Sequence, residues 1–211
     1  MSLKARFTRP LVTGLTAGAI ALLAPTAAQA GPLVASAPDC AEESLSQPFL
    51  PWADPASYQF APDGGFEAGG SGWSLSGGAA AGAGNESHYV HGAGDTQSLR
   101  LPPGASATSP TVCVGIEHPT IRIFARNGGS LLSSVSAEVL FESASGNVLS
   151  APIGGIAGAS GWQPSAPMPI VANLLALLPG EHTPVAFRFT ANGAGGDWKL
   201  DDLYVDPYRR G

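Results

Sequence analysis

Apolar and polar residues alternate along several short stretches of this chain. Within residues 121–126 the odd positions are apolar, while Arg122 and Arg126 share the opposite face with an aromatic residue. Residues 134–142 and 185–189 repeat this pattern. Because successive side chains of a strand point to opposite faces, each stretch predicts a strand with one buried row and one wetter row. Apolar or alternating runs predict strands near residues 72–76, 97–101, 111–116, 120–126, 133–142, 148–154, 184–190 and 197–205.

Turn residues separate these runs, and no long helical pattern is present. Asn127-Gly128-Gly129 and Ser145-Gly146-Asn147 are typical of turns that need positive φ. Residues 171–178 could form one or two helical turns, or a buried strand, before Pro179-Gly180 ends them. About eight strands in one domain favour an all-β fold, a two-sheet antiparallel jelly-roll sandwich.

Three segments follow from composition. Residues 1–30 have the pattern of a secretory signal peptide, with cations before an apolar run and Ala28-Gln29-Ala30 at its end. The apolar run is shorter than the ~20 residues that cross a bilayer, so a retained transmembrane anchor is the weaker alternative. Residues 31–62 form a Pro-rich arm of irregular backbone, in which the aromatic residues are expected to pack. Residues 63–211 form the predicted sandwich. A secreted, extracellular protein is therefore expected.

Signal removal takes away three cations, so the formal net charge of −6 becomes −9. Binding to nucleic acid depends on clustered Lys and Arg, which the remaining chain lacks apart from Arg209-Arg210. Nucleic acid is thus an unsuitable partner.

The two cysteines, Cys40 and Cys113, would both enter an oxidising compartment. A single Cys40–Cys113 disulfide is the expected state there, and two free thiols are the alternative. The bridge would attach the arm to the sheet.

The two ends of the predicted sandwich carry related patterns: GGFEAGGSGW (residues 64–73) and WKLDDLYVDP (residues 198–207). Phe66, Glu67 and Trp73, together with the late Leu-Asp-Asp-Leu, resemble the galactose-binding-like jelly rolls of many carbohydrate-binding modules. The signal, CAEESLSQPFLPWADPASY and SATSPTVCV also resemble small exported proteins of high-GC Gram-positive bacteria, a resemblance that implies no activity.

The resemblance to carbohydrate-binding modules implies a structural Ca²⁺ ion held by an early Glu and a late Asp. In this chain Glu67 matches the early Glu, and Asp201 or Asp202 matches the late Asp. Calcium prefers oxygen ligands, and two chain ends joined in this way would close the sheet. Alternatively, Glu67 caps a turn, and the aspartates face solvent or pair with Lys199 or Arg188. Strand alternation allows at most one aspartate as a direct ligand unless a β-bulge intervenes.

Two groups of residues are candidates for contact with a ligand. Trp52 and Trp162 lie in Pro- and Gly-rich segments, and Tyr89 lies between two histidines that have no third ligand nearby in sequence. Trp73 and Trp198 are expected in the core instead. The second group is a wet row of Arg122, Glu138 and Arg188, which also fits cross-strand ion pairing without any ligand.

Hydrolytic motifs are absent from the sequence. No Gly-x-Ser-x-Gly elbow occurs, and Glu138 and Glu142 would stand roughly 13 Å apart on a strand, too far for a glycosidase pair. The sequence therefore predicts a secreted, non-enzymatic module that binds glycans or cell-envelope polysaccharide. The alternative is an extracellular structural domain that binds another exported protein.

Overall fold

The structure is a computed structural model that describes residues 30–38, 40, 44–175 and 181–207. The predicted signal segment, except Ala30, lies outside these residues, as does the end of the stretch predicted at 171–178. Its first part, Val171–Leu175, is a 3₁₀ helix. No helix among the described residues has the length and apolar character needed to cross a membrane.

Strands dominate the described residues. They are β1 Leu45–Ser46, β2 Tyr58–Phe60, β3 Ser74–Ser76, β4 Ala80–Ala83, β5 Gln97–Leu101, β6 Ser106–Thr108, β7 Val112–Val114, β8 Thr120–Asn127, β9 Ser134–Glu142, β10 Val148–Ala157, β11 Gln163–Pro164, β12 Met168–Pro169, β13 Thr183–Asn192 and β14 Trp198–Asp206. Each strand predicted from alternation is present. Those not predicted are two to four residues long, which is too short to carry an alternating signal. The remaining elements are helix α1, Pro32–Ala35, and a 3₁₀ helix at Leu50–Trp52.

The strands form two antiparallel sheets, which confirms the predicted jelly-roll sandwich. In the eight-stranded sheet, β14 pairs with β8 along one edge and with β5 and then β2 along the other. In the six-stranded sheet, β13 pairs with β9 along one edge and with β6 and β7 along the other. The last strand of the chain is therefore central to one sheet and joins strands from both halves of the sequence.

The main core lies between the two sheets. It contains the apolar faces predicted for 121–126, 134–142 and 185–189, together with Trp73 and Trp198. Both tryptophans are thus core residues, as expected. Val135, Ala137 and Val139 alternate with more exposed neighbours until Leu140, which is also buried.

A second apolar cluster covers the outer face of the eight-stranded sheet. Phe49 and Tyr58 from the arm pack on Phe124 of β8 and Tyr204 of β14. The Phe49 ring stacks on Phe124 at 5.6 Å and meets Tyr58 edge-on at 4.7 Å. The aromatic residues of the arm therefore pack as expected. The arm is less irregular than its sequence suggests, because its strand β2 pairs with β14. This pairing is at residues 204–205 of β14, beyond residues 198–200, where β14 pairs with β5.

The start of the arm is held at the edge of the six-stranded sheet. Cys40 and Cys113 form a disulfide, as predicted. Near it, the carboxylate of Glu142 accepts hydrogen bonds from the backbone amides of Gly31, Leu33 and Val34. Glu142 is therefore occupied with anchoring the arm.

Replacing both cysteines with serine is expected to lower the free energy of unfolding by about 4 kcal/mol. The bridge joins residues separated by 73 positions, and closing a loop of that length restricts the unfolded chain strongly. Urea denaturation of the wild type and the double variant measures the difference. Thiol titration of denatured, unreduced wild type should find no free thiol. Two titratable thiols would contradict the bridge.

Candidate functional site

The two ends singled out in the sequence meet at the middle of β14. The backbone amide of Ala61 donates to the carbonyl of Leu203 at 2.9 Å, and the amide of Leu203 donates to the carbonyl of Gly64 at 3.2 Å. The segment that begins with Gly64 therefore lies directly beside the Asp-Asp pair of the last strand.

A β-bulge lies at this aspartate pair, and both side chains are buried. The register between β14 and β8 shifts between Asp201 and Tyr204, and Asp202 has a φ of 48°. Asp201 is 0 % exposed and Asp202 is 1 % exposed. Both faces of β14 are covered here, because the adjacent Leu203 and Tyr204 are also buried, and the bulge breaks the regular alternation of the two aspartates between these faces.

Gly65 permits the close approach of the first segment to Asp202. A Cβ atom on Gly65 would stand 2.9 Å from Oδ1 of Asp202, a distance that real Cβ contacts do not show. Any larger residue at position 65 would displace the carboxylate. The second glycine of the GGFE pattern is therefore part of the site's geometry.

Asp201 is tied to a loop that precedes β5. Its Oδ2 atom accepts the amide of Glu86 at 2.8 Å, and its Oδ1 atom accepts the amide of Asp202 at 3.0 Å. Glu86 is itself 0 % exposed, and its carboxylate accepts the amides of His88 and Val90. Three carboxylates are thus buried together. Sequence reasoning missed Glu86, because Asp201, which accepts its amide, lies 115 positions away.

Asp202 is the unsatisfied member of this group. Neither of its carboxylate oxygens accepts a hydrogen bond of normal geometry among the described residues, although the backbone amide of His91 lies close enough to help lower the pKa of Asp202. His91, Asp95 and Asp202 each place one atom that could bind a metal within 4.8 Å of the other two. In addition, His91 Nδ1 contacts Asp95 Oδ2 at 2.7 Å. A buried carboxylate without donors is costly unless it is protonated or binds a cation.

Glu67, the other carboxylate of the predicted calcium set, binds the backbone that follows Asp95. It is exposed, and its Oε1 atom accepts the amides of Thr96 and Gln97, each at 2.7 Å. It therefore caps the start of β5. The structure brings together Asp201 and Asp202 but does not place Glu67 in the group with His91 and Asp95.

Burial changes the acidity of the aspartate pair. It raises the pKa of Asp201 to about 9, with a further contribution from the charge of Asp202. It also raises the pKa of Asp202 to about 7, and the charge of Glu86 adds to that increase while His91 opposes it. In metal-free protein, burial therefore favours the neutral acids, whereas a bound cation would favour the carboxylates.

Three predicted ligand candidates lie around the loop that Glu86 holds. Trp52 meets the ring of His88 edge-on at 4.8 Å, and a ring nitrogen of His88 lies 3.5 Å from the carbonyl of Trp162. Tyr89 lies between the two residues whose amides Glu86 accepts. Its side chain is 52 % exposed, and its backbone φ is 52°. We call Trp52, His88, Tyr89 and Trp162 the aromatic surface. The two histidines of the loop diverge, because the His91 ring stacks on Phe60 at 3.9 Å.

The predicted wet row is divided between the two sheets. Arg122 belongs to the eight-stranded sheet, where it is buried, lies over the Phe49 ring at 4.1 Å and pairs with Asp54 at 2.7 Å. Glu138 and Arg188 face each other across β9 and β13 of the six-stranded sheet and pair at 2.8 Å. These residues do not form one surface, because alternation gives the face of a strand but not its sheet.

Comparisons with known proteins find similarity to solved structures. No known sequence family and no curated protein matches the chain. A structure of the Clostridium thermocellum xylanase 10B CBM22-1 and GH10 modules, complexed with xylohexaose, is similar over 70% of this chain and 28% of its own, with 14% identity and a TM-score of 0.48. The CBM22-1 xylan-binding domain of Paenibacillus barcinonensis Xyn10C is similar over 67% of this chain and 90% of its own, with 13% identity and a TM-score of 0.44.

The enzymatically active domain of tailspike protein 4 from bacteriophage CBA120 is similar over 69% of this chain, with 14% identity and a TM-score of 0.48. This chain spans only 21% of that protein's length and 28% of the xylanase structure. The similarity in all three is one of overall architecture, and it assigns neither ligand nor activity to this chain.

The stability of the protein in the presence of a chelator is expected to fall as the pH rises from 5 to 9. The folded pKa values of Asp201 and Asp202 lie above the unfolded value of about 3.9, so the folded state keeps protons that the unfolded state has released. The stabilisation is complete below the unfolded pKa and decreases up to about pH 7 for Asp202 and about pH 9 for Asp201. Each group contributes at most about 1.4 kcal/mol per pH unit.

Urea denaturation across this pH range measures the slope. Asp202→Asn should remove part of it and stabilise the metal-free protein at high pH. Glu181→Gln, which changes an exposed carboxylate, should leave the slope as in wild type. A wild-type profile without a downward slope would contradict the burial of the pair.

Proposed function

We propose that the chain after residue 30 is a secreted, non-enzymatic module that binds glycans through the aromatic surface. The observation that carries this proposal is the display of Tyr89. The buried carboxylate of Glu86 accepts the amides on both sides of Tyr89, at His88 and Val90, and leaves the Tyr89 ring in solvent. An exposed aromatic ring on a loop fixed from below is suited to recognition.

Aromatic side chains suit sugars for two physical reasons. Their faces bury much apolar area against the C–H face of a sugar ring, while the hydroxyl of Tyr and the indole N–H of Trp can form hydrogen bonds. A surface that is already ordered also loses little conformational entropy on binding. Trp52 and Trp162 pack partly on the second apolar cluster, which restricts their motion.

A non-catalytic role agrees with the structural engagement of the best-placed acids. Glu138 pairs with Arg188 and accepts the hydroxyl of Ser150. Glu142 accepts amides of the arm. Glu86 accepts amides of its own loop. Each of these three glutamates has a structural role, which disfavours its use as a general acid or base.

We further propose a structural Ca²⁺ ion at Asp202. The fit rests on the two buried oxygens of Asp202, which accept no hydrogen bond of normal geometry among the described residues, and on the nearby carboxylate of Asp95. Oxygen-rich, acidic sites are those that calcium prefers. Asp202 and Asp95 would hold the ion directly, while Asp201 and Glu86 would contribute negative charge from positions where they already accept amides. The ion would fasten the loop that displays Tyr89 to β14.

A second candidate function, an interaction domain for another exported protein, is favoured by the turn after β8. Leu131 and Leu132 are 66 % and 95 % exposed there. The turn is rigid, because buried Asn127 donates to the Ser130 carbonyl and Ser133 Oγ accepts the Trp198 indole N–H. Two exposed leucines on an ordered turn are suited to a protein partner.

The glycan proposal predicts that Tyr89→Asn lowers affinity for a bound polysaccharide roughly tenfold or more, as truncation of an aromatic contact residue commonly does. Asparagine tolerates the positive φ of this position, so the melting temperature should not change. Affinity gel electrophoresis against bacterial, fungal and plant polysaccharides measures the effect. Leu132→Ser is the control for loss of an exposed apolar side chain and should bind as wild type. Retention of none of these polymers by folded wild type would refute the proposal.

The calcium proposal predicts a higher melting temperature in calcium than in chelator. A ligand that binds only the folded state stabilises it by about 2.7 kcal/mol at a concentration 100 times its Kd. Asp202→Asn should abolish the difference. Glu67→Gln should retain it, since Glu67 caps β5. Equal melting temperatures of wild type in calcium and in chelator would contradict the proposed ion. Loss of the difference in Glu67→Gln would show that Glu67 contributes to calcium binding.

A further inference from the structure

Three cations stand side by side on the eight-stranded sheet. Lys199 of β14 is paired directly with Arg100 of β5 on one side and with Arg126 of β8 on the other. Since neighbouring strands lie about 4.8 Å apart, the three positions span roughly 10 Å. We call Arg100, Lys199 and Arg126 the basic row.

The basic row faces away from the core. Lys199 lies between Trp198 and Leu200, which are both buried between the sheets. Arg126 shares its face of β8 with Phe124, which belongs to the outer cluster. Alternation therefore directs the row to the outer face, the same face that carries the arm.

The positive charge of the row is only partly compensated. Arg100 Nε donates to Asp197 Oδ1 at 3.1 Å, and Lys199 Nζ donates to the carbonyl of Ala83 at 2.9 Å. Among the hydrogen bonds and ion pairs of the described residues, none involves the guanidinium of Arg126. Like charges directly opposite each other destabilise a sheet. The chain, which has 16 acidic residues and 10 Lys and Arg, nevertheless places three cations in register.

The row continues into the aromatic surface. Gln163 of β11 pairs with Ala125 of β8, so the preceding residue, Trp162, stands opposite Arg126. Trp162 also packs against the outer cluster, which places it on the same face as Arg126. One continuous surface therefore offers rings at one side and cations at the other.

We infer that this surface selects acidic polysaccharides, whose sugar units carry carboxylate or phosphate groups. Sugar faces would lie on the aromatic surface, and the anionic groups would be bound by the basic row, in which the guanidinium of Arg126 can bind either anion through two parallel hydrogen bonds. This inference rests on the glycan-binding function proposed above and adds the chemical class of the glycan.

The test compares matched charged and neutral polymers by affinity gel electrophoresis. The probes are polygalacturonate and its methyl-esterified form, phosphomannan and unphosphorylated mannan, and polyglutamate as an anion without sugar. At low salt, wild type should bind polygalacturonate or phosphomannan at least tenfold more tightly than the neutral counterpart. The acidic polymer that is retained identifies carboxylate or phosphate as the recognised group. The preference should shrink at high salt, because salt screens exposed charges.

Arg126→Gln and Lys199→Gln should each reduce the preference for the acidic polymer several-fold and leave binding to the neutral polymer unchanged. Arg188→Gln, which removes one positive charge from the six-stranded sheet, is the matched control and should keep the preference. An equal effect of Arg188→Gln, or equally tight binding of polyglutamate, would overturn the inference. Equal affinity of wild type for acidic and neutral polymers would also overturn it while leaving glycan binding intact. Absence of binding to every polysaccharide would refute the proposed function as well.

Discussion

Two adjacent carboxylates, Asp201 and Asp202, are buried at the bulge of β14. Their burial determines which hydrogen bonds and charges the neighbouring segments must supply. A buried charge is costly unless hydrogen bonds, a counter-charge or a proton offsets it. Asp201 is offset by the amides of Glu86 and Asp202. The two oxygens of Asp202 accept no hydrogen bond of normal geometry among the described residues. The loop from Glu86 to Asp95 and the glycine at position 65 are arranged around this pair, so the candidate site depends on the bulge.

The bulge also coincides with a change of neighbours along β14. Before it, at residues 198–200, β14 pairs with β5, and after it, at residues 204–205, it pairs with β2 from the arm. The arm can then place Phe49 and Tyr58 on the outer face, where Arg122 is fixed by Asp54. A segment that reads as a tether in the sequence is therefore part of the fold. It covers part of the outer face of the eight-stranded sheet, and its Trp52 belongs to the aromatic surface.

Much of the sandwich could be predicted because its signals are local. Alternation in residues 121–126 and 134–142 identifies strands and their buried faces whatever their partners are. The short strands at residues 80–83 and 163–164 could not be found in this way, since their small or polar residues gain little from burial and they exist through pairing with β5 and β8. For the same reason, alternation showed Arg122 and Arg188 as wet-row residues but could not show that they belong to different sheets.

The sequence by itself determined the periodicity of the main strands and the pairing of its only two cysteines. It also identified the two segments, one rich in glycine and one with adjacent aspartates, that meet in the structure. These properties depend on residue type and near neighbours. Only the tertiary structure decided which acids are buried. Glu67, which matches the pattern of a calcium ligand, caps two exposed amides, whereas Glu86, which matches no pattern, lies in the interior. The cost of burying a carboxylate is set by the atoms that surround it, and here those atoms come from segments more than one hundred residues apart in the chain.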